Sequence, residues 1–386
     1  MSDQNSILDK IIQSKQIKDA SQFDPSETVA SLFKNLSNKE QDILNRRFGL
    51  AGKGKQTLEE IGKYYEITRE RIRQIESGTI RKLKELQDFK QQIETAENNV
   101  FHLLEKYGGL MEENHLINEL LSYSDSTDSN RQASHFILEN LLSDKLEKVK
   151  QNDHLLPGWK LPTVSLDLVE QSLIELVKMI EEEKQLIGSQ SLADKFANHE
   201  NLKDHQKHLL NVKLGGSESE NIKEDLTTIL QSLLTISRKL DQNILGEWGL
   251  NEWQTIKPKR MSDKAYLVLR KAGKPLHFTE ITNLINESSF DKKKAYPATI
   301  HNELILDDRY VLVGRGIYAL KEWGYQAGTV IDIITDILKK AATPLTKEEV
   351  VEKVLAQRLV RKSTIYLALT NKNKIKKLSD GRYTLA

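Results

Sequence analysis

Between residues 57 and 86, hydrophobic residues recur at steps of three and four positions, a spacing that places them on one face of an α-helix. This stripe consists of Ile72, Ile75, Thr79, Leu83 and Leu86. A shorter helix over Leu58 to Tyr65 precedes it, opened by a capping box between Thr57 and Glu60. Thr68 supplies the cap of the second helix. Two short helices joined by a tight turn predict a helix-turn-helix within a module at residues 24–90.

The stretch after this module alternates predicted helices with short hairpins. Residues 98–162 read as three helices followed by a β-hairpin, which is the element order of a winged helix. Residues 166–257 are predicted to be helical, with a repeat of the winged-helix plan as one alternative. A short amphipathic helix is also predicted within residues 1–23.

The last third of the chain contains an internal repeat. KPLHFTEITNLI, starting at Lys274, aligns with TPLTKEEVVEKV, starting at Thr343, and Tyr318 lies sixty-five positions before Tyr383. Each copy reads as three helices and a hairpin, so tandem winged helices are predicted at 258–323 and 326–386. The predicted fold class is therefore mainly α and multi-domain, with an N-terminal helix-turn-helix followed by tandem winged-helix domains.

The polar face of the second helix carries side chains suited to reading DNA. Arginine can donate two hydrogen bonds to guanine, glutamate can accept from cytosine, and glutamine can pair with adenine. These chemistries make Arg69, Glu70 and Gln74 base-reading candidates. The cations predicted to contact phosphates are Arg71, Arg73, Arg81, Lys82 and Lys84. The alternative is a solvated helix whose charges pair with one another.

Charge is distributed unevenly along the chain, although its net value is only +1. Residues 98–256 carry a net charge of −11, whereas residues 257–386 carry +11. The basic part suits a polyanion such as nucleic acid, and the acidic part suits a protein partner. Attraction between the two parts of the chain is the alternative explanation.

Two runs of the first module carry a family resemblance: LSNKEQDILNRRFGL at Leu36 to Leu50, and TLEEIGKYYEITRERIRQIESGTIRKLKEL at Thr57 to Leu86. They resemble region four of the sigma-70 family of bacterial transcription initiation factors. The resemblance implies that the second helix reads the upstream (−35) promoter element and that the module docks on the flap of RNA polymerase. It assigns base reading to Arg69, Glu70 and Gln74. It assigns positions against the DNA backbone to Arg47, Leu58, Glu59, Thr68, Arg71 and Arg73.

Thirty-six residues precede Ser37, so the parts with which a full sigma factor opens a promoter are not expected in front of this module. The resemblance therefore implies a partial, sigma-like or accessory initiation factor.

The first C-terminal copy, with AYLVLRKAGKPLHFTEI and GRGIYAL, resembles the HARE helix-turn-helix domain. That domain is similar to the N-terminal domain of the RNA polymerase delta subunit. In a DNA-binding use the wings would contribute Arg309, Arg315, Lys374, Lys376, Lys377 and Arg382. Winged helices also serve as protein-docking modules, and the sequence leaves both uses open.

Other site types find little support in the sequence. Gly49 to Gln56 nearly matches a phosphate-binding loop, but Gln56 stands where the magnesium-binding hydroxyl should be. His205 and His208 lack the accompanying ligands of a metal site, and no cysteine is present. We therefore expect no metal, no cofactor, no small-molecule substrate, no membrane partner and no enzymatic activity. The expected partners are promoter duplex DNA and core RNA polymerase, in the bacterial cytoplasm and nucleoid.

Taken together, these signals predict a sigma-like transcription initiation protein. The alternative is an RNA polymerase accessory or nucleoid adaptor, or a free-standing regulator, that binds DNA without sequence preference.

Overall fold

The computed structural model describes residues 23–52, 54–122, 124–215, 219, 221–341 and 343–386. The helix predicted within residues 1–23 lies almost wholly outside them. The chain divides into two compact units, 1–241 and 242–386. Helices dominate both units and the strands form only small sheets, which confirms the mainly α, multi-domain fold class.

Four helices build the first module: Pro25–Phe33 (α1), Asn38–Phe48 (α2), Leu58–Tyr65 (α3) and Arg69–Lys84 (α4). Side-chain caps fix where they begin. The Asp24 carboxylate accepts from the amide of Glu27 at 2.9 Å, and Ser37 forms the predicted capping box that opens α2. Because these caps need only neighbouring residues, the sequence locates the helix starts well.

A winged helix follows directly. Its elements are Phe89–Lys106 (α5), Leu110–Glu112 (β1), Glu113–Leu120 (α6), Asp128–Phe136 (α7) with a π-helical turn at Ile137–Leu141, Glu147–Val149 (β2) and Gly158–Lys160 (β3). The sheet order is β1-β3-β2, so β3 pairs with both other strands, and Trp159 lies opposite Met111 and Lys148. The predicted hairpin is present, whereas the sequence did not reveal β1. The domain boundary predicted at residue 98 falls inside α5.

The remainder of the first unit contains one more helix than a winged helix. Its elements are Leu166–Glu183 (α8), Ile187–Gly188 (β4), Ser189–Asn198 (α9), a 3-10 turn at Glu200–Leu202, Lys203–Leu214 (α10), Ile222–Ile236 (α11) and Leu240–Gln242 (β5). Helix α11 packs on β1, where the Ser232 hydroxyl donates to the carbonyl of Leu110. The unit boundary falls within β5.

The first module packs firmly against the winged helix that follows it. The Phe136 ring of α7 lies 5.8 Å from the ring of Phe33 and 4.9 Å from that of Phe48. The amide of Ser26 donates to Asn130 at 3.2 Å, and Lys84 at the end of α4 forms an ion pair with Asp144 at 2.8 Å. Apolar and polar contacts therefore join the helix-turn-helix to α7 and the turn after it.

The second unit contains the tandem repeat. The first copy comprises Met261–Ala272 (α12), Leu276–His277 (β7), Phe278–Glu287 (α13), Pro297–Leu306 (α14), Tyr310–Gly314 (β8) and Ile317–Leu320 (β9), after a strand at Glu247–Leu250 (β6). The second copy comprises Val330–Lys340 (α15), Lys347–Leu355 (α16), Lys362–Ala368 (α17), Ile375–Lys377 (β10) and Tyr383–Leu385 (β11). Each copy buries its own apolar core.

Both copies have the connectivity of a winged helix. In the first copy the sheet order is β7-β9-β8, and Tyr318 of β9 lies opposite Leu276. In the second copy Tyr383 pairs with Leu345, which occupies the place of β7 as a single bridge. The two copies meet where the amide of Leu359 donates to the carbonyl of Val313 at 3.2 Å. The repeat found in the sequence is thus a repeat of structure.

Candidate nucleic-acid interface

The turn between α3 and α4 is short and tightly packed. Thr57 and Glu60 satisfy each other's amides at the start of α3, and the Thr68 hydroxyl accepts from the amide of Arg71 at 3.2 Å at the start of α4. A β-carbon added to Gly62 would lie 2.8 Å from the carbonyl oxygen of Ile67. Only glycine fits there without movement of the backbone, so this position sets how closely the two helices approach.

A small apolar core holds α4 in place. Ile43, Ile61 and Ile72, one from each of α2, α3 and α4, are fully buried and in mutual contact. An ion pair of 3.2 Å between Lys82 and Glu40 ties the end of α4 to α2. Because the inner face of α4 is fixed in this way, its outer face is presented to solvent in a defined orientation.

The outer face of α4 begins with the five residues that the sequence singled out. All are exposed: Arg69, Glu70, Arg71, Arg73 and Gln74. The structure therefore brings the three base-reading candidates together over the first turn and a half of α4. In a helix-turn-helix, this part of the second helix enters the major groove.

These side chains pair with one another. Arg73 donates twice to Glu70, at 2.6 and 2.9 Å, and Arg71 donates to the side-chain oxygen of Gln74 at 3.1 Å. The hydrogen bond from Arg73 holds the pKa of the Glu70 carboxyl below its ordinary value. DNA binding would exchange these solvent-exposed contacts for contacts with bases and phosphates. Because exposed pairs are weak, the exchange costs little.

The residues assigned to the DNA backbone occupy three helices. Thr68 caps α4, whereas Leu58 and Glu59 form the first turn of α3, where free backbone amides favour an anion. Glu59 is exposed and pairs with Lys63 at 3.1 Å. Arg47 at the end of α2 is half-buried and pairs with Glu76 of α4 at 3.2 Å. Arg47 thus connects α2 with α4.

Cations near the end of α4 serve structural contacts. Lys82 is paired with Glu40 and Lys84 with Asp144, as described above. Both lysines were predicted as phosphate contacts; in the structure Lys82 links α4 to α2, and Lys84 links α4 to the turn after α7. At the start of α4, by contrast, the partners of Arg71 and Arg73 lie on the same exposed helix, so these pairs can open without separating α4 from its neighbours.

The predicted wing residues of the first C-terminal copy differ from each other. Arg309 lies at the base of the hairpin and forms ion pairs with Asp263 at 2.8 Å and Asp307 at 2.6 Å. Hydrogen bonds to Asp307 and then Asp263 raise the pKa of the Arg309 guanidinium. Arg315 lies in the exposed turn between β8 and β9. The turn, rather than the base, therefore offers a free cation in this copy.

The second copy presents four predicted wing cations. Lys374 pairs with Asp332 at 3.0 Å, and Arg382 lies 3.7 Å from Asp380. Lys376 and Lys377 project from β10 and are exposed, with the Lys377 ammonium 5.9 Å from the centre of the Tyr383 ring.

The sequence reasoning overlooked Arg361 and Lys362, which lie exposed at the start of α17. The lack of acidic residues between positions 353 and 379 could have revealed them.

The fold and the exposed chemistry of α4 together define a helix-turn-helix of the DNA-binding class. Two segments of the chain match models of known families. Residues 32–85 match the model of Sigma-70, region 4, and residues 260–323 match the model of the HARE-HTH domain, a helix-turn-helix named in part after ASXL and restriction endonuclease proteins. Both resemblances seen in the sequence are thereby confirmed. The matched segments together span less than a third of the chain.

Among the residues that the structure describes, no group of three or more His, Cys, Asp or Glu side chains is arranged to hold a metal ion. None of the described helices combines the length and the apolar character needed to cross a membrane.

Proposed function

We propose that this chain is a bacterial transcription protein of the sigma-like or accessory type, which acts by binding and has no catalytic activity of its own. Helix α4 reads a −35-type element in promoter DNA, and the chain associates with core RNA polymerase in the bacterial cytoplasm. The observation that carries the proposal is the exposed cluster of Arg69, Glu70 and Gln74 on a helix anchored by Ile72. The match of residues 32–85 to Sigma-70, region 4 supports the same function.

Point substitutions test this function better than truncation does. Removal of residues 1–97 would cut through α5 and uncover the Phe136 side chain, so a truncated chain would report on misfolding. Selection from a randomised duplex library with the full-length protein should yield a preferred element. Fluorescence anisotropy then compares that element with a scrambled duplex of equal composition.

Two neighbouring substitutions on α4 should behave differently. Glu70→Ala removes an acceptor for a base, so it should relax the preference at one base pair by about tenfold or more. Arg73→Ala removes a phosphate contact, so it should weaken binding to all duplexes alike and lower the salt slope by about one unit. Equal losses on preferred and scrambled duplexes for both variants would contradict base reading by α4.

A second function, from a different class, has its own observation. Helix α14 exposes Ile305 and Leu306, and Pro297–Leu306 contains no cation. These features favour an adaptor that docks on polymerase through the C-terminal copy and binds DNA without sequence preference, in place of a promoter reader. Ile305→Asn with Leu306→Asn should then reduce capture of purified core RNA polymerase while leaving DNA affinity unchanged. Unchanged capture of core RNA polymerase by this variant would contradict the second function.

A further inference from the structure

The last winged helix concentrates positive charge in one continuous stretch. Residues 353–379 contain eight lysines and arginines and no acidic side chain. The equivalent window of the first copy, sixty-five positions earlier at 288–314, contains four basic and four acidic residues. Since the two copies share a fold, the fold alone does not require this difference in charge.

The fold brings the charged stretch to two adjacent elements. Arg361 and Lys362 begin α17, the second helix of the helix-turn-helix in this copy. A turn closed by a hydrogen bond of 3.0 Å from the amide of Ile375 to the carbonyl of Asn371 leads from α17 into β10. Lys376 and Lys377 lie on β10. Strand β11 pairs with Leu345 on its other side, so β10 forms the outer edge of the wing.

These cations have free access to a ligand. Arg361, Lys362, Lys376 and Lys377 are exposed, and within the described residues none of them forms an ion pair. In the first copy, by contrast, Asp263 and Asp307 neutralise Arg309. Unpaired cations on a helix and on the adjacent wing are the groups that can neutralise the phosphates of a duplex.

The exposed apolar groups of α17 are compatible with the same ligand. The ring of Tyr366 is exposed and lies 3.6 Å from the ammonium of Lys347. Leu367 is also exposed, and an apolar side chain beside the cations adds no charge that would repel a phosphate backbone. Acidic side chains, which a phosphate backbone would repel, lie mainly on α15 and α16.

We propose that residues 326–386 form a second DNA-binding site, in which α17 and the edge of the wing hold the phosphate backbone of duplex DNA without reading its sequence. The site is independent of base reading by α4. It would anchor the C-terminal unit on the duplex and contribute an affinity that depends steeply on salt.

The test compares two full-length variants that each lose four positive charges from the C-terminal unit. The site variant carries Arg361→Ala, Lys362→Ala, Lys376→Ala and Lys377→Ala. The control variant carries Lys271→Ala, Lys321→Ala, Lys339→Ala and Lys340→Ala, all exposed and outside residues 353–379. Anisotropy titrations with a scrambled duplex are repeated at salt concentrations from about 50 to about 300 mM. Circular dichroism checks that both variants stay folded.

The site variant should bind the scrambled duplex at least about tenfold more weakly at 150 mM salt, with a salt slope lower by about one unit for each phosphate that the variant no longer neutralises. The control variant should change far less. Equal behaviour of the two variants would overturn the proposal, because only the overall charge would then matter. Retained DNA affinity together with weaker capture of core polymerase would also overturn it, in favour of protein docking.

The outcome is separable from that of the proposed function. The site variant should keep the ratio of affinities for preferred and scrambled duplexes, whereas Glu70→Ala should lower that ratio without a large change on scrambled DNA. A loss of the ratio in the site variant would show that the last winged helix reads sequence, which contradicts the proposal.

Discussion

Helices α4 and α14 occupy the same position in two helix-turn-helix folds and present opposite surfaces. The exposed side of α4 begins with Arg69, Glu70, Arg71, Arg73 and Gln74, whereas α14 exposes Ile305 and Leu306 at its end and carries no cation. Both helices are fixed by a fully buried isoleucine, Ile72 in α4 and Ile300 in α14. The fold thus determines which face is presented, and only the outward residues determine the ligand.

The connections that lead into these helices differ as well. Three residues, 66–68, separate α3 from α4, whereas nine residues, 288–296, separate α13 from α14. The short turn requires Gly62 because the backbone of Ile67 lies against it. A short turn fixes the angle between two helices, as base reading requires, while a long connection leaves that angle to the packing of the core.

The largest expected effect comes from the two buried isoleucines. Ile72→Ala and Ile300→Ala should each lower the free energy of unfolding of their own unit by about 2–4 kcal/mol, since each leaves a cavity in a closed core. Only Ile72→Ala should abolish the preference for the selected duplex. Chemical denaturation and anisotropy measure the two effects. If Ile300→Ala also abolished the preference, the hypothesis that α4 reads bases and α14 does not would be wrong.

An intermediate effect is expected at two glycines of the first module. Gly62→Ala should destabilise the turn by about 1–3 kcal/mol, because the added methyl group meets backbone that cannot move aside cheaply. Gly78→Ala on α4 has open space around it and should stabilise the helix by up to about 1 kcal/mol. Thermal unfolding should show opposite signs for the two variants. Equal signs would mean that the tight turn does not constrain α4.

The smallest expected effect concerns pH. Glu70 must be charged to accept from a base, and in the free protein the hydrogen bond from Arg73 lowers the pKa of Glu70, so its carboxylate is already charged at about pH 5.5 before DNA binds. The preference at the Glu70 base pair should therefore be the same at pH 7.5 and at about pH 5.5. Anisotropy with duplexes that differ at that base pair measures it. A preference that faded over this interval would point to a group other than Glu70.

Local signals explain how much of the fold the sequence predicted. The capping boxes at Ser37 and Thr57 depend on residues three positions apart, and they located the starts of α2 and α3 correctly. Strands β1 and β7, in contrast, span three and two residues, which is too short for an alternating pattern to appear. Their pairing with β3 and β9 is a tertiary contact that no local pattern encodes.

The same reasoning applies to the candidate site. Helical periodicity was enough to place Arg69, Glu70 and Gln74 on one exposed face. The pair between Arg73 and Glu70 is also local, and it is of the kind that the alternative of a self-paired charged helix describes. The neutralisation of Arg309 by Asp263 joins residues forty-six positions apart, so it required the fold. Pairings of this kind decide which cations remain free.

The contact of Phe136 with Phe33 and Phe48 has a consequence for assembly along DNA. The helix-turn-helix and the adjacent winged helix pack together as one body. A duplex bound by α4 would therefore fix the side of the DNA on which the acidic segment, residues 98–256, begins. A protein recruited by that segment would then meet the duplex at a constant rotational phase. If the DNA site of the recruited protein were moved by half a helical turn, that protein would lie on the opposite side of the duplex.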